Sequence, residues 1–146
     1  MIQTWAVTDI GLVRRENQDA YGIRVDQNKD RAVCVVCDGM GGVNGGGVAS
    51  RIAVDTFLQT VEEALPQQPA AEEIRQVSAT AVTAANDAIR SAMAADETYR
   101  GMGTTLVAAV TMADGAVVTN VGDSRAYLIR PGQIKRISKD HSWVET

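Results

Sequence analysis

Three short acidic segments hold the residues best suited to chemistry: Asn17-Gln18-Asp19, Cys37-Asp38-Gly39 and Val121-Gly122-Asp123-Ser124. Each aspartate stands at the end or interruption of an apolar run, beside small or amide residues that permit tight backbone geometry. A carboxylate delivered to the rim of a sheet must be satisfied. A hard divalent cation can do so, because such ions take carboxylate, carbonyl and water oxygens. Arg14 lies five residues before Asp19 in the same polar stretch. Carboxylates with an arginine suit metal-assisted chemistry on a phosphate: the cations neutralise charge and activate water, and the guanidinium grips phosphate oxygens in a fork. Any one of these aspartates alone is more often a turn or cap residue, and a single loop arginine is more often a solvated cation. The set, not its members, points to a site.

The elements that must position these residues follow from periodicity. Thr4-Trp5-Ala6-Val7-Thr8 alternates as a strand does, and Asp9-Ile10-Gly11 breaks it. Gly11 to Asp19 is charged and non-periodic, hence a loop. Ala20–Val25 and the more continuously apolar Ala32–Cys37 form a predicted hairpin around Gln27–Asp30. A helical pattern begins near Val48, with Val54, Phe57, Leu58, Val61, Ala64 and Leu65 in phase, and Pro66 ends it. A second helix runs from Ala70 to about Ala95, with Ile74, Val77, Ala81, Ala85, Ile89 and Met93 on one face. The short link through Gln67-Gln68-Pro69 makes the two helices antiparallel neighbours. Thr104–Met112 is β-rich, and Ala113-Asp114-Gly115 signals a hairpin. Ala116–Asn120 returns, Gly122-Asp123-Ser124 interrupts, and Arg125–Arg130 resumes. Pro131-Gly132 then turns into Gln133–Ile137. The order β-β-β-α-α-β-β-β predicts an α+β fold with antiparallel sheets.

Several function classes are disfavoured. The 146 residues suit one domain, and a net charge of -4 argues against nucleic acid or an anionic membrane as the main partner. No apolar run approaches the ~20 residues of a membrane span, and no signal-peptide pattern opens the chain, so the expected compartment is the cytoplasm. Cys34 and Cys37 form a C-x-x-C, but residues three apart in a strand face opposite ways, and no second Cys/His pair completes a zinc site. They read as small buried apolar residues. The glycines after Asp38 form no phosphate-binding loop: no Gly-Lys-Ser/Thr follows, and the sixth position of a G-x-G-x-x-G frame is Asn44.

Taken together, the motifs resemble the type-2C metal-dependent serine/threonine protein phosphatases in their bacterial form. Thr8-Asp9-Ile10-Gly11 through Arg14 to Asn17-Gln18-Asp19 is similar to the family's first motif. Asp38-Gly39-Met40-Gly41-Gly42, with Gly46 and Ala49-Ser50, is similar to the second. Gly103-Thr104-Thr105 and Val121–Tyr127 resemble the middle motifs, and Asp140-His141-Ser142 resembles the approach to the flap. The resemblance implies a β-sandwich of two antiparallel sheets flanked by helix pairs. It implies that Asp38 bridges two Mn²⁺ or Mg²⁺ ions, and that Asp19 and the Gly39 carbonyl bind the second. Arg14 would hold the substrate phosphate, and Asp123 would bind a third, weaker ion. A water bridging the two main ions would attack phosphorus without a phosphoenzyme. Met40 occupies the place where many eukaryotic members carry a histidine. His141, the sole histidine, reads as a turn residue rather than a catalytic one.

The family's catalytic domain continues well past the length of this chain and takes two more aspartate ligands from the continuation. Asp114, Asp140 and Glu145 lie outside the matching motifs and are not substitutes. Residues 1–146 are therefore expected to form the N-terminal part of one such domain, incomplete at its C-terminus and weak or inactive by itself. The parent would act on phosphoserine and phosphothreonine in proteins, opposite a serine/threonine kinase. The competing expectation is a non-catalytic binding module that self-associates or exchanges strands through unpaired edges.

Overall fold

The computed structural model describes residues 1–42 and 45–142. β1 (Asp19–Asp26) and β2 (Arg31–Met40) form the predicted hairpin, and the Asp26 carboxylate accepts the Asn28 and Lys29 amides to close its turn. α1 (Gly45–Ala64) and α2 (Ala71–Ala95) follow, then a 3-10 turn at Glu97–Tyr99. β3 (Gly103–Thr104), β4 (Leu106–Met112) and β5 (Gly115–Val121) return to the first sheet, whose path is β1-β2-β4-β5 with β3 on the end of β2. β6 (Tyr127–Arg130) and β7 (Gln133–Arg136) make a separate two-stranded sheet. Every pairing is antiparallel. The α+β expectation holds, with two antiparallel sheets and one helix pair.

Alternation along β2 separates two environments. Val33, Val35, Cys37 and Gly39 are buried, whereas Val36, Asp38 and Met40 are exposed. The buried set joins Leu106, Ala108 and Val110 of β4 in a core with Ala53, Val54, Phe57, Leu58 and Val61 of α1. Ile74, Ala81, Ala85 and Ile89 of α2 complete that core, α2 packing against α1 and reaching β5. Burial of a side chain such as Phe57, which is fully enclosed, contributes about 1.5–3 kcal/mol. Two glutamates lie in the first turn of α2, where they suit the helix dipole, and Glu73 accepts the Ala70 amide.

Two expectations need correction. The strand expected at Thr4–Thr8 is absent: residues 1–10 have no ladder, and Trp5 and Val7 are 92% and 82% exposed. The segment runs beside β1, tied by Gln27 donating to the Ile2 carbonyl and by Asn17 donating to Thr8. Alternation makes a segment fit for pairing, but a strand needs a partner edge. Second, α1 begins at Gly45, three residues before the expected start. Glycine is a poor helix former; here its missing side chain lets the first turn press on the end of β2. A Cβ on Gly46 would lie 2.6 Å from the Gln18 side chain, and one on Gly39 would lie 1.9 Å from the Gly46 carbonyl. The two cysteines face opposite ways as expected, but only one of them is enclosed. Cys37 is fully buried, its thiol pushed up to about 12 by desolvation, and Cys34 is half-buried on the opposite face.

Candidate active site

The register of the first hairpin sets Asp19 directly across from Asp38. Opposed residues of an antiparallel pair have Cβ atoms about 4.5–5.5 Å apart, and like charges there repel. Both residues are exposed on the face turned away from the helices. The Asp38 carboxyl is raised above its ordinary value, first by partial desolvation, then by the Asp19 charge and a side-chain hydrogen bond with Asp19, then by Asp123. Arg14 pulls the other way. The structure thus gathers Arg14, Asp19, Asp38 and Asp123 from three separate parts of the chain.

They do not sit in one hollow. A cavity of about 470 Å³ is lined by Arg14, Asp19, Asp38 and Gly39 together with residues of the 9–18 loop. A second, of about 740 Å³, is lined by Asp38, Thr104, Thr105, Gly122, Asp123, His141 and Ser142. Asp38 and Met40 belong to both walls. Asp38 is therefore the hinge between the Arg14 side and the Asp123 side, a division the sequence does not reveal.

The backbone around the carboxylate pair is fixed from below. The Gln18 carbonyl accepts the Gly39 amide at 3.1 Å and the Ser50 hydroxyl at 2.7 Å. The Gln18 side-chain amide donates to the Gly41 carbonyl. The start of β1, the end of β2 and the beginning of α1 are thus joined at one point, and Asp19 and Gly39 gain a rigid base. Asp38 is held by Thr105, which donates its amide to the Asp38 carbonyl and accepts the Asp38 amide on its hydroxyl. Sequence reasoning gave Gln18, Ser50 and Thr105 no role of their own. Their signal was their place inside the motifs, but partners 32 and 67 residues apart leave no periodic trace.

Asp140 lies in a different arrangement. Arg125 donates to both of its carboxylate oxygens, at 2.6–3.2 Å, and holds its carboxyl below the usual range. It is engaged in ion pairs with Arg125 and Arg136. Asp114 sits in the β4–β5 turn, and Glu145 lies outside the described residues. His141 stands at the wall beside Asp38, its Nδ1 accepting the Gly122 amide.

The donor set fits a hard cation in kind. Two facing carboxylates that repel when both are charged, beside a strand-end carbonyl, present the oxygens such an ion takes. It does not form a closed cage: among the described residues no group of three or more His, Cys, Asp or Glu side chains has metal-holding geometry.

Residues 14–143 match the family model of protein phosphatase 2C. The chain belongs to the protein phosphatase 2C family. It is 38% identical over 138 residues to serine/threonine phosphatase stp of Listeria monocytogenes, an alignment covering 94% of this chain and 54% of that protein. Against protein phosphatase PhpP of Streptococcus pneumoniae the identity is 35%, with the same two coverages. The solved structure of Stp1 from Staphylococcus aureus superposes with a TM-score of 0.82 at 36% identity, covering 94% of this chain and 53% of that one. The catalytic domain of PstP in complex with two manganese ions gives 0.73 at 32%, covering 92% and 54%. This protein phosphatase 2C chain therefore spans about half the length of the curated relatives it matches.

Proposed function

We propose that this chain supplies the Arg14–Asp19–Asp38–Gly39 half of a metal-dependent phosphoserine/phosphothreonine protein phosphatase site. The observation that carries the reading is the cross-strand pair Asp19–Asp38, with Arg14 close enough for its charge to act on Asp38. Two ions of Mn²⁺ or Mg²⁺, with a third beside Asp123, would neutralise the carboxylates, polarise the phosphoryl group and lower the pKa of water. Asp38 would serve both main ions, Asp19 and the Gly39 carbonyl one of them. Arg14 would clamp two phosphate oxygens and orient phosphorus above the carboxylate pair. The open rim suits a phosphorylated side chain carried on a protein, and a serine/threonine kinase is the natural opponent of such an enzyme. No helix among the described residues is long and apolar enough to cross a membrane, which agrees with a cytoplasmic setting.

The test is a calorimetric Mn²⁺ titration of this chain and of Asp38→Asn, with p-nitrophenyl phosphate hydrolysis measured alongside. We expect Asp38-dependent Mn²⁺ uptake with weak or no turnover, because two carboxylate ligands of the family site are not among these residues. Mn²⁺ binding unchanged by Asp38→Asn would reject the metal assignment. Robust Asp38-dependent turnover would reject the expectation of weak activity.

A second reading has its own observation. The sheet face opposite the helices leaves Tyr21 and Val36 37% and 47% exposed, and the β6–β7 hairpin leaves Ile129 and Ile134 72% and 67% exposed. Apolar surface of this kind favours association, by self-association or strand exchange, and suits a non-catalytic binding module. Sedimentation as a monodisperse monomer with cooperative unfolding would reject self-association.

A further inference from the structure

Asp38 lies on β2 and Asp123 far along the chain from it, yet they line one cavity and feel one another's charge. Something must set their spacing. Asp123 lies in the break between β5 and β6, where no ladder holds it. Among the described residues, Thr105, 8% exposed, is a buried polar side chain that bonds to both segments.

Its hydroxyl makes two contacts: it accepts the Asp38 amide at 3.0 Å and lies 2.5 Å from the Ser124 hydroxyl. One hydroxyl can do this, having one donor and two acceptor sites. The Thr105 amide also donates to the Asp38 carbonyl at 2.9 Å, so the two residues are locked reciprocally. The methyl group supports the other side of the break. Gly122 adopts φ +102°, and a Cβ there would lie 2.7 Å from Thr105 Cγ2. The Gly122-Asp123-Ser124 turn thus rests on both branches of one threonine. The outer side of the turn is tied as well, by the His141 amide donating to the Gly122 carbonyl at 2.8 Å and by the Arg125–Asp140 pair.

We propose that Thr105 is a positioning residue, which sets the separation of the Asp38 and Asp123 carboxylates through its hydroxyl bridge to Ser124. Its consequence for metal uptake rests on the reading proposed above; its consequence for the local backbone does not. Thr105 touches neither substrate nor ion in this role. It carries the placement of one acidic segment to the other.

The experiment compares this chain with Thr105→Val, Thr105→Ser, Ser124→Ala and the Thr105→Val/Ser124→Ala double variant. Two quantities are read on each: amide hydrogen exchange without metal, and Mn²⁺ affinity by calorimetry. Thr105→Val removes the acceptor of the Asp38 amide, so exchange there should rise about tenfold, while Ser124→Ala should change it less than about twofold. Both variants should speed exchange at Gly122 and His141 and weaken Mn²⁺ binding by about tenfold, the lower end for loss of a residue supporting metal ligands. The double variant should bind Mn²⁺ no more weakly than the worse single one, because one bridge is lost in each case. Thr105→Ser keeps the hydroxyl and should keep the Asp38 amide within about twofold of the parent.

Uniform acceleration of exchange across the core, additive losses in the double variant, or Thr105→Ser as damaging as Thr105→Val would overturn the proposal. If Thr105→Val fails to fold, Ser124→Ala decides: unchanged exchange at Gly122 and His141 overturns it, and local acceleration there supports it. If the parent takes up no Mn²⁺, the metal reading fails and the exchange data alone decide the positioning role.

Discussion

The two faces of β2 obey different rules. On one, Val33, Val35 and Cys37 meet α1 in a closed apolar core; on the other, Val36, Asp38 and Met40 face outward beside Asp19 and Tyr21. Neighbouring residues of a single strand thus serve opposite ends. The helix face gives the chain its stability, and the open face gathers charges that cost stability. The comparison teaches that the carboxylate pair is affordable because the opposite face is so well filled.

Variants can break that comparison in descending order of effect. Phe57→Ala empties the centre of the helix face and should cost about 3–5 kcal/mol in denaturant unfolding. A loss below 1 kcal/mol would mean that the core is not organised around α1. Gly39→Ala tests the boundary between the faces. Its Cβ would fall 1.9 Å from the Gly46 carbonyl, a backbone atom with no rotamer to escape into. The expected loss is about 1–3 kcal/mol, with weaker Mn²⁺ uptake as α1 is pushed away. An unaffected melting temperature would show that the helix start yields freely.

The smaller effects concern pH and have opposite signs. Asp38 has a raised carboxyl pKa, so between the ordinary carboxylate value and that raised one the folded chain binds more protons than the unfolded. Stability from this group is present at low pH and is lost as pH rises through the folded pKa. Asp38→Asn should remove that slope and make the metal-free chain more stable at pH 7, measured as unfolding midpoint against pH. A less stable Asp38→Asn variant would contradict the repulsion. Asp140 has a lowered pKa through Arg125, so its contribution is present above the ordinary value and lost as pH falls through the folded one. Arg125→Ala should flatten that acid limb by bringing the neutral-pH midpoint slightly down towards the acid one, the smallest effect of the four. A steep loss at neutral pH instead would make the Arg125–Asp140 pair a main support of the fold.

Much of this was legible beforehand because it depends on local pattern. The β1–β2 hairpin, the helix ended by Pro66, the long alanine-rich α2 and the two-residue β4–β5 turn all follow from periodicity and turn chemistry. The Thr4–Thr8 segment was misread because the same pattern serves a strand only where an edge is free to pair. The early start of α1 was missed because Gly45 and Gly46 are poor helix formers chosen for clearance.

By itself the sequence determined which residue types were available and in what order: an arginine, three aspartates at strand ends, and glycines beside one of them. The tertiary structure decided which of them face one another. Strand register placed Asp19 across from Asp38, and the sheet path β1-β2-β4-β5 brought the Asp123 turn to Thr105. It also set Asp38 between two cavities rather than within one. The physical reason is range: periodicity and turn preference act over a few residues, whereas register and hydroxyl bridges join residues whose separation along the chain carries no pattern.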